Sequence, residues 1–100
     1  MATKRAYLYQ DEYLVYKVYP AVTILKKNDT MVLVNTTGSD AEWDVPAGLL
    51  DATAIKEPVP KKTEKSKLAK QTGPLGGPYQ VYIGLIKAIA HSDPVIIIDS

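Results

Sequence analysis

The chain has no cysteine, no phenylalanine and a single histidine, His91, among its 100 residues. Without cysteine there are no disulfides, thiolate metal ligands or cysteine nucleophiles, although the redox compartment stays open because many secreted domains also lack it. An excess of one charge is missing too. Its 12 basic and 11 acidic side chains leave a net charge of +1, so no global field draws the protein to nucleic acid or to an anionic membrane. No apolar run approaches the roughly 18 residues that a bilayer span requires. Lys4 and Arg5 imitate the start of a signal peptide, but Gln10, Asp11 and Glu12 interrupt the apolar stretch that would have to follow. The chain as it stands is therefore expected to lack a signal peptide. This reads as cytoplasmic, the compartment being otherwise undetermined.

What remains is an ordinary globular composition. Hydrophobic residues at 46% and charged residues at 23% are enough for one core, and the length suits a single domain over residues 1–100. Alternation dominates the local pattern. Tyr7 and Tyr9 flank Leu8, and residues 13–19 are rich in aromatic and β-branched types, so two strands are expected around a turn at Gln10 to Glu12. Val22 to Leu25 and Thr30 to Asn35 flank Lys26-Lys27-Asn28-Asp29, where Asn and Asp tolerate the left-handed turn conformation, so a hairpin is expected there. After a polar loop over Thr36 to Asp40, a short strand is expected at Ala41 to Val45, stopped by Pro46, and a weaker one at Asp51 to Ile55.

From Lys56 to Pro78 the chain carries six Lys, four Pro and three Gly, which reads as an extended loop with a helical turn over Lys65 to Lys70 as one option. Tyr79 to Ala90 reads as a long strand with a bulge at Gly84, helix being the rival for its second half. Val95 to Ile98, a continuous apolar run, suits a strand buried on both faces. Seven or eight short strands with turn signals between them point to an all-β, antiparallel Greek-key β-sandwich. Its expected core is Val22, Ile24, Val32, Val34, Trp43, Val81, Ile83, Ile96 and Ile98.

Three pieces of the chain carry a family likeness. These are the run from Val22 through Asn28-Asp29-Thr30 to Asn35, the stretch Gly77-Pro78-Tyr79-Gln80-Val81-Tyr82-Ile83, and the closing run Asp93 to Asp99. Together they resemble the cupredoxin family of plastocyanin and azurin type, over roughly residues 18 to 99. The resemblance implies a cupredoxin-like sandwich and also marks where copper ligands belong. Ala41 stands at the position of the first ligand His, Ile83 at that of the Cys, and His91 in the general region of the second His. Met31 lies inside a strand in the wrong part of the fold. Blue copper needs a Cys and two His, so the chain is expected to be a member without copper ligands, using no cofactor and no metal.

Other residues each have a plain and a functional reading. His91, beside Ser92 and Asp93, is a locally bonded loop residue or else a base or weak ligand. Asp40, Glu42 and Asp44 share one face opposite Trp43 and form a solvated acidic edge or a hard-cation site, although no calcium-loop pattern surrounds them. The lysines at 56–70, with a local charge of +4, form a solvated loop or a weak polyanion site through Lys61, Lys62, Lys65, Lys67 and Lys70. No Arg or aromatic is interleaved with them, which makes nucleic acid a poor partner. Five of the seven Tyr fall between positions 7 and 19. Tyr7, Tyr9, Tyr13, Tyr16 and Tyr19 either close the sandwich edge or form a contact surface for a protein partner or for a second copy in a homo-oligomer. The function expected is a non-enzymatic binding or assembly module acting through these tyrosines. Polyanion binding is the alternative, and catalysis or metal carriage through His91 and the acidic face is a distant third.

Overall fold

A computed structural model of the chain describes residues 2–45, 50, 56–69, 75–90 and 93–98. Its strands are β1 (Thr3–Gln10), β2 (Tyr16–Tyr19), β3 (Val22–Leu25), β4 (Thr30–Asn35), β5 (Ala41–Asp44), β6 (Lys56–Val59), β7 (Glu64–Leu68), β8 (Leu75–Pro78), β9 (Gln80–Ile83), β10 (Ile86–Lys87) and β11 (Val95–Ile98). Among the described residues no helix is long and apolar enough to cross a membrane. One layer is ordered β2-β1-β4-β7. The other combines β10-β9-β5-β6 with β3-β11-β8, joined because only Tyr79 separates β8 from β9. The all-β sandwich is as expected, with two parallel pairs, β1 with β4 and β3 with β11, among the antiparallel ones.

The core lies between the layers and follows strand alternation. Ala6 and Leu8 of β1, Met31 and Leu33 of β4, Trp43, Val59, Val81, Ile96 and Ile98 point inward and are buried. Trp43 and Tyr79 meet edge to face, with ring centroids 6.2 Å apart. Burial pushes the Tyr79 hydroxyl well above its ordinary value near 10.

Several expectations are corrected. β3 and β4 do not pair: the turn between them exists, but it carries the chain from one layer to the other. Asp29 tightens that corner. Its Oδ2 accepts from the Lys26 N–H at 2.9 Å, its Oδ1 accepts from the Ala2 N–H at 2.8 Å, and Asn28 takes the left-handed φ of 71°. The phase of β3 is also the reverse of that expected, with Thr23 and Leu25 inside and Val22 and Ile24 exposed. Val34 is only half-buried, while Met31 and Leu33 take the inward places on β4.

The Lys56 to Pro78 segment is not a loop but supplies three strands, β6, β7 and β8. Lysines and prolines there belong to edge strands, where they are tolerated. Lys65 to Leu68 accordingly extend in β7 rather than forming a helical turn. Gly84, with φ 62°, makes the turn between β9 and β10 instead of a bulge in one long strand. Val95 to Ile98 is buried on one face only, since Ile97 is 38% exposed. The expectations at Pro46 and at Asp51 to Ile55 lie outside the described residues.

Candidate functional site

The hairpin of β1 and β2 pairs Tyr7 with Tyr19, Leu8 with Val18, Tyr9 with Lys17 and Gln10 with Tyr16. Residues directly opposite in an antiparallel pair share a face, so this register sorts the tyrosines. Leu8 and Val18 are buried, which turns Tyr7, Tyr9 and Tyr19 outward with Lys17. Tyr16 falls on the inner side, half-buried and packed on the core. Tyr13 sits on the hairpin tip, largely exposed. Three of the five expected surface tyrosines are thus brought together and two are not.

These outward residues border a groove of about 460 Å³, lined by Tyr9, Lys17, Tyr19 and Ala21 on one side and by Ile89 and Ala90 on the other. The far wall is held by a short parallel bridge. The Val18 N–H donates to the Ile89 carbonyl at 2.9 Å and the Ile89 N–H to the Tyr16 carbonyl at 3.1 Å. Ile89 was not legible as a groove residue, because a single long-range bridge leaves no periodic trace. The outward phase of Lys17 could have been found from its place between Tyr16 and Val18.

The hairpin loop positions that lysine. Asp11 Oδ1 accepts from the N–H groups of Tyr13 and Val15, both at 2.9 Å, and Oδ2 meets Lys17 Nζ at 2.9 Å. The Lys17 ammonium, followed by the Val15 amide, holds the Asp11 carboxyl below its usual range, and Asp11 in turn raises Lys17. The groove therefore offers two aromatic rings, an apolar floor and one fixed cation.

The lysines of the alternative reading are dispersed. Lys65 and Lys67 lie opposite the inward residues Leu33 and Met31, so they face the other layer and meet Glu57 of β6. Lys67 Nζ is 2.7 Å from Glu57 Oε1 and Lys65 Nζ is 3.8 Å from Oε2, with side chains of Lys67 and Glu57 almost buried. Lys62 donates to the Thr36 carbonyl at 2.8 Å, Lys61 is exposed, and Lys70 lies outside the described residues. Inward charges on an edge strand block pairing with another chain, which is what Lys65, Lys67 and Glu57 do here.

The Lys67 ammonium holds the Glu57 carboxyl below its ordinary value of 4.5. A folded value below the unfolded one adds stability above about 4.5, and that stability is lost as pH falls through the folded value. Glu57→Gln should cost about 1.5–3 kcal/mol at neutral pH, since it leaves Lys67 without its counter-charge. Thermal melts should show the variant converging on the wild type as the pH is lowered from about 6 to about 3. A constant gap across that range would assign the loss to something other than ionisation.

Glu42 is exposed and Asp44 half-buried, opposite the buried Trp43, as alternation requires. Asp40 Oδ1 instead accepts from the Lys61 N–H at 3.0 Å. Among the described residues no group of three His, Cys, Asp or Glu converges on a metal position. His91 lies outside those residues. The β5 and β9 ladder ends at Glu42 and Tyr82, and Ala41 and Ile83, the positions that the resemblance marks, stand just beyond that end. Ala41 is buried and Ile83 half-buried against the core.

Asn35 organises that end of the sandwich. Its Nδ2 donates to the carbonyls of Ser39 and Val59, both at 2.9 Å. Its Oδ1 accepts from the Thr37 N–H at 2.9 Å and from the Thr37 hydroxyl at 2.7 Å.

No protein-family model matches the sequence, and no curated protein does either. Among solved structures, the chain is similar to a purple cupredoxin from Nitrosopumilus maritimus, with a TM-score of 0.63 over 95% of this chain and 98% of that one. At 9% identity the likeness speaks for architecture alone. With the sandwich and this neighbour in hand, the chain has a cupredoxin-like fold.

Proposed function

We propose that this chain is a non-enzymatic interaction module on a cupredoxin-like sandwich that carries no copper. The donor set does not fit the metal of the fold family. There is no thiolate anywhere in the chain, Ala41 and Ile83 stand at the marked positions, and Met31 is buried inside β4. Softness and geometry of a blue site both depend on the missing sulfur.

The observation that supports a binding role is the groove beside β2. Tyr19 is 67% exposed at its rim, Tyr9 and Lys17 line it, and Tyr7 extends the aromatic surface along the same face. Tyrosine and a fixed cation over an apolar floor are the chemistry of protein contact surfaces, where aromatic anchors supply most of the binding energy. The partner in this reading is a protein segment. Polyanion binding is disfavoured because Lys67 and Lys62 are already engaged within the fold.

The test is a selection of displayed peptides against the immobilised protein. Peptides that enrich should lose affinity by about tenfold or more, equivalent to about 1.4 kcal/mol, against Tyr19→Ser and against Tyr9→Ser, with the melting temperature unchanged. Enrichment that is indifferent to both substitutions would reject the groove. A salt series separates the alternative, because binding through lysine clusters weakens steeply with ionic strength.

A further inference from the structure

Sandwich edges show a consistent pattern with one exception. The edge strand β2 is covered by the Ile89 bridge, β7 carries inward Lys65 and Lys67, β6 contains Pro58 with an outward Lys56, β8 ends on Pro78, and β10 is two residues long. Each of these is a recognised way of preventing edge-to-edge pairing. β3 has none of them. It is four residues long, Val22 to Leu25, with no charge and no proline, and among the described residues no strand pairs with its outer side, which Ala2 and Lys4 border at Ile24.

Among the described residues its outward backbone groups have no partner either. The Val95 N–H donates to the Ala21 carbonyl at 2.9 Å, so the side of β3 facing β11 uses the peptide groups of Ala21, Thr23 and Leu25. Successive residues of a strand turn their N–H and C=O to opposite sides, which leaves those of Val22 and Ile24 directed at the open edge. The same two residues have the exposed apolar side chains, at 46% and 55%.

We infer that β3 pairs antiparallel with β3 of a second copy of this chain, about a two-fold axis at Thr23. In that register Val22 lies opposite Ile24 of the second copy and the reverse, and both are hydrogen-bonded pairs, so the four free peptide groups on each strand are satisfied. A one-residue shift would oppose inward and outward side chains and is excluded by the alternation. Register with β11 extends the match. Ile97 lies beside Ile24 and Val95 beside Val22, so two rows of four aliphatic side chains form across the junction.

Charge fits the same arrangement. The two-fold axis sends Lys26 and Lys27 of the two copies to opposite ends of the ladder rather than against each other. Continuing the register by two residues puts Lys26 of each copy in line with Pro20 and Asp93 of the other, and Asp93 is held ionised by Lys87 at 2.7 Å. Asp93 is already paired with Lys87 within its own copy, so the gain from the antiparallel arrangement is that it keeps the lysines of the two copies apart. The second copy is a better occupant than an unrelated strand because the edge is complementary to itself in hydrogen bonding and in side-chain phase.

The inference stands apart from the Tyr groove and is tested separately. Sedimentation velocity across a wide concentration range should show a monomer and dimer in exchange. Ile24→Pro removes an outward N–H without touching the β11 ladder, and should weaken the dimer by about tenfold or more while leaving the melting temperature of the monomer nearly unchanged. Ile24→Lys should do the same and decides the matter if the proline variant folds poorly. Hydrogen exchange at the Val22 and Ile24 amides should slow as concentration rises, whereas Tyr19→Ser should leave the dimer intact. A wild type that stays monomeric at the highest concentration, or a dimer untouched by either Ile24 substitution, would overturn the inference.

Discussion

Trp43→Ala is expected to be the most destabilising single truncation in the sandwich. The indole is fully buried, sits opposite Val81 across the β5 and β9 ladder, and meets Tyr79 edge to face. Deleting a buried aromatic removes both transfer energy and packing contacts, at a cost of about 3–5 kcal/mol. That is a large part of the roughly 5–15 kcal/mol by which a domain is stable. A urea or thermal melt should therefore show a strongly lowered midpoint. Trp43→Phe separates volume from polarity. The indole N–H has no hydrogen-bond partner among the described residues, so phenylalanine loses ring volume but sheds an unpaired buried donor, and should cost about 1–2 kcal/mol. An equal loss for both variants would mean that the indole nitrogen has a partner of its own.

The same residue shows what alternation alone can tell. Glu42 and Asp44 are polar and Trp43 is not, so the inward side of β5 was legible from three residues. Tyr7 and Tyr9 shared a face for the same reason, with Leu8 between them. Phase is lost where no polar residue marks the outer face. β11 reads Val-Ile-Ile-Ile: Ile96 and Ile98 are core residues as expected, but no polar residue marks Ile97 as the face left half out, so the run reads as buried on both faces. In β3 the only polar side chain, Thr23, goes inside, and Leu25 takes the other inward place. Thr23 Oγ1 is then buried without a partner among the described residues, a local conflict that a rule of polar-out patterning has to miss.

Pairing partners were less legible than strands. The Lys26 to Asp29 turn has the right residues for a hairpin, but turn chemistry fixes only the local reversal, and the choice between pairing and changing layers is made by long-range packing. The Lys-rich segment failed for a related reason. Lysine and proline normally argue against a strand, yet on edges they are the residues that keep a strand soluble, and it takes the register with β4 and the position of Glu57 to reveal that Lys65 and Lys67 point inward. The candidate site was half visible in the same sense. Tyrosine clustering drew attention to the hairpin, while its register with Tyr16 opposite Gln10 sent one ring into the core, and the wall at Ile89 comes from a distant part of the chain.

Asn35→Ala is expected to show how the end of the sandwich bearing Ala41 and Ile83 is held. Asn35 is 1% exposed and ties three segments with one amide: its own strand β4, the Thr37 to Ser39 loop, and β6 through the Val59 carbonyl. Thr36 adds a further tie, donating its N–H and its hydroxyl to the Leu8 carbonyl at 3.0 and 2.7 Å. Removing the amide strands the Val59 carbonyl in a buried position, whereas Ser39, nearer the surface, can be met by water. Unpaired buried groups cost about 1–3 kcal/mol each, so the loss should come to about 2–4 kcal/mol. Because the bonds join the layers rather than extend a ladder, the effect should be spatially specific. Hydrogen exchange should speed up at Thr37, Ser39 and Asn35 and leave the β3 and β11 amides close to wild type. Asn35→Asp tests the direction of the bonds: it keeps the acceptor for Thr37 but sets a carboxylate oxygen against the Ser39 and Val59 carbonyls at a buried position, so it should be at least as destabilising as alanine. An aspartate variant more stable than the alanine one would place the weight on the Thr37 contacts, and not on the Val59 bond that crosses from β4 to β6.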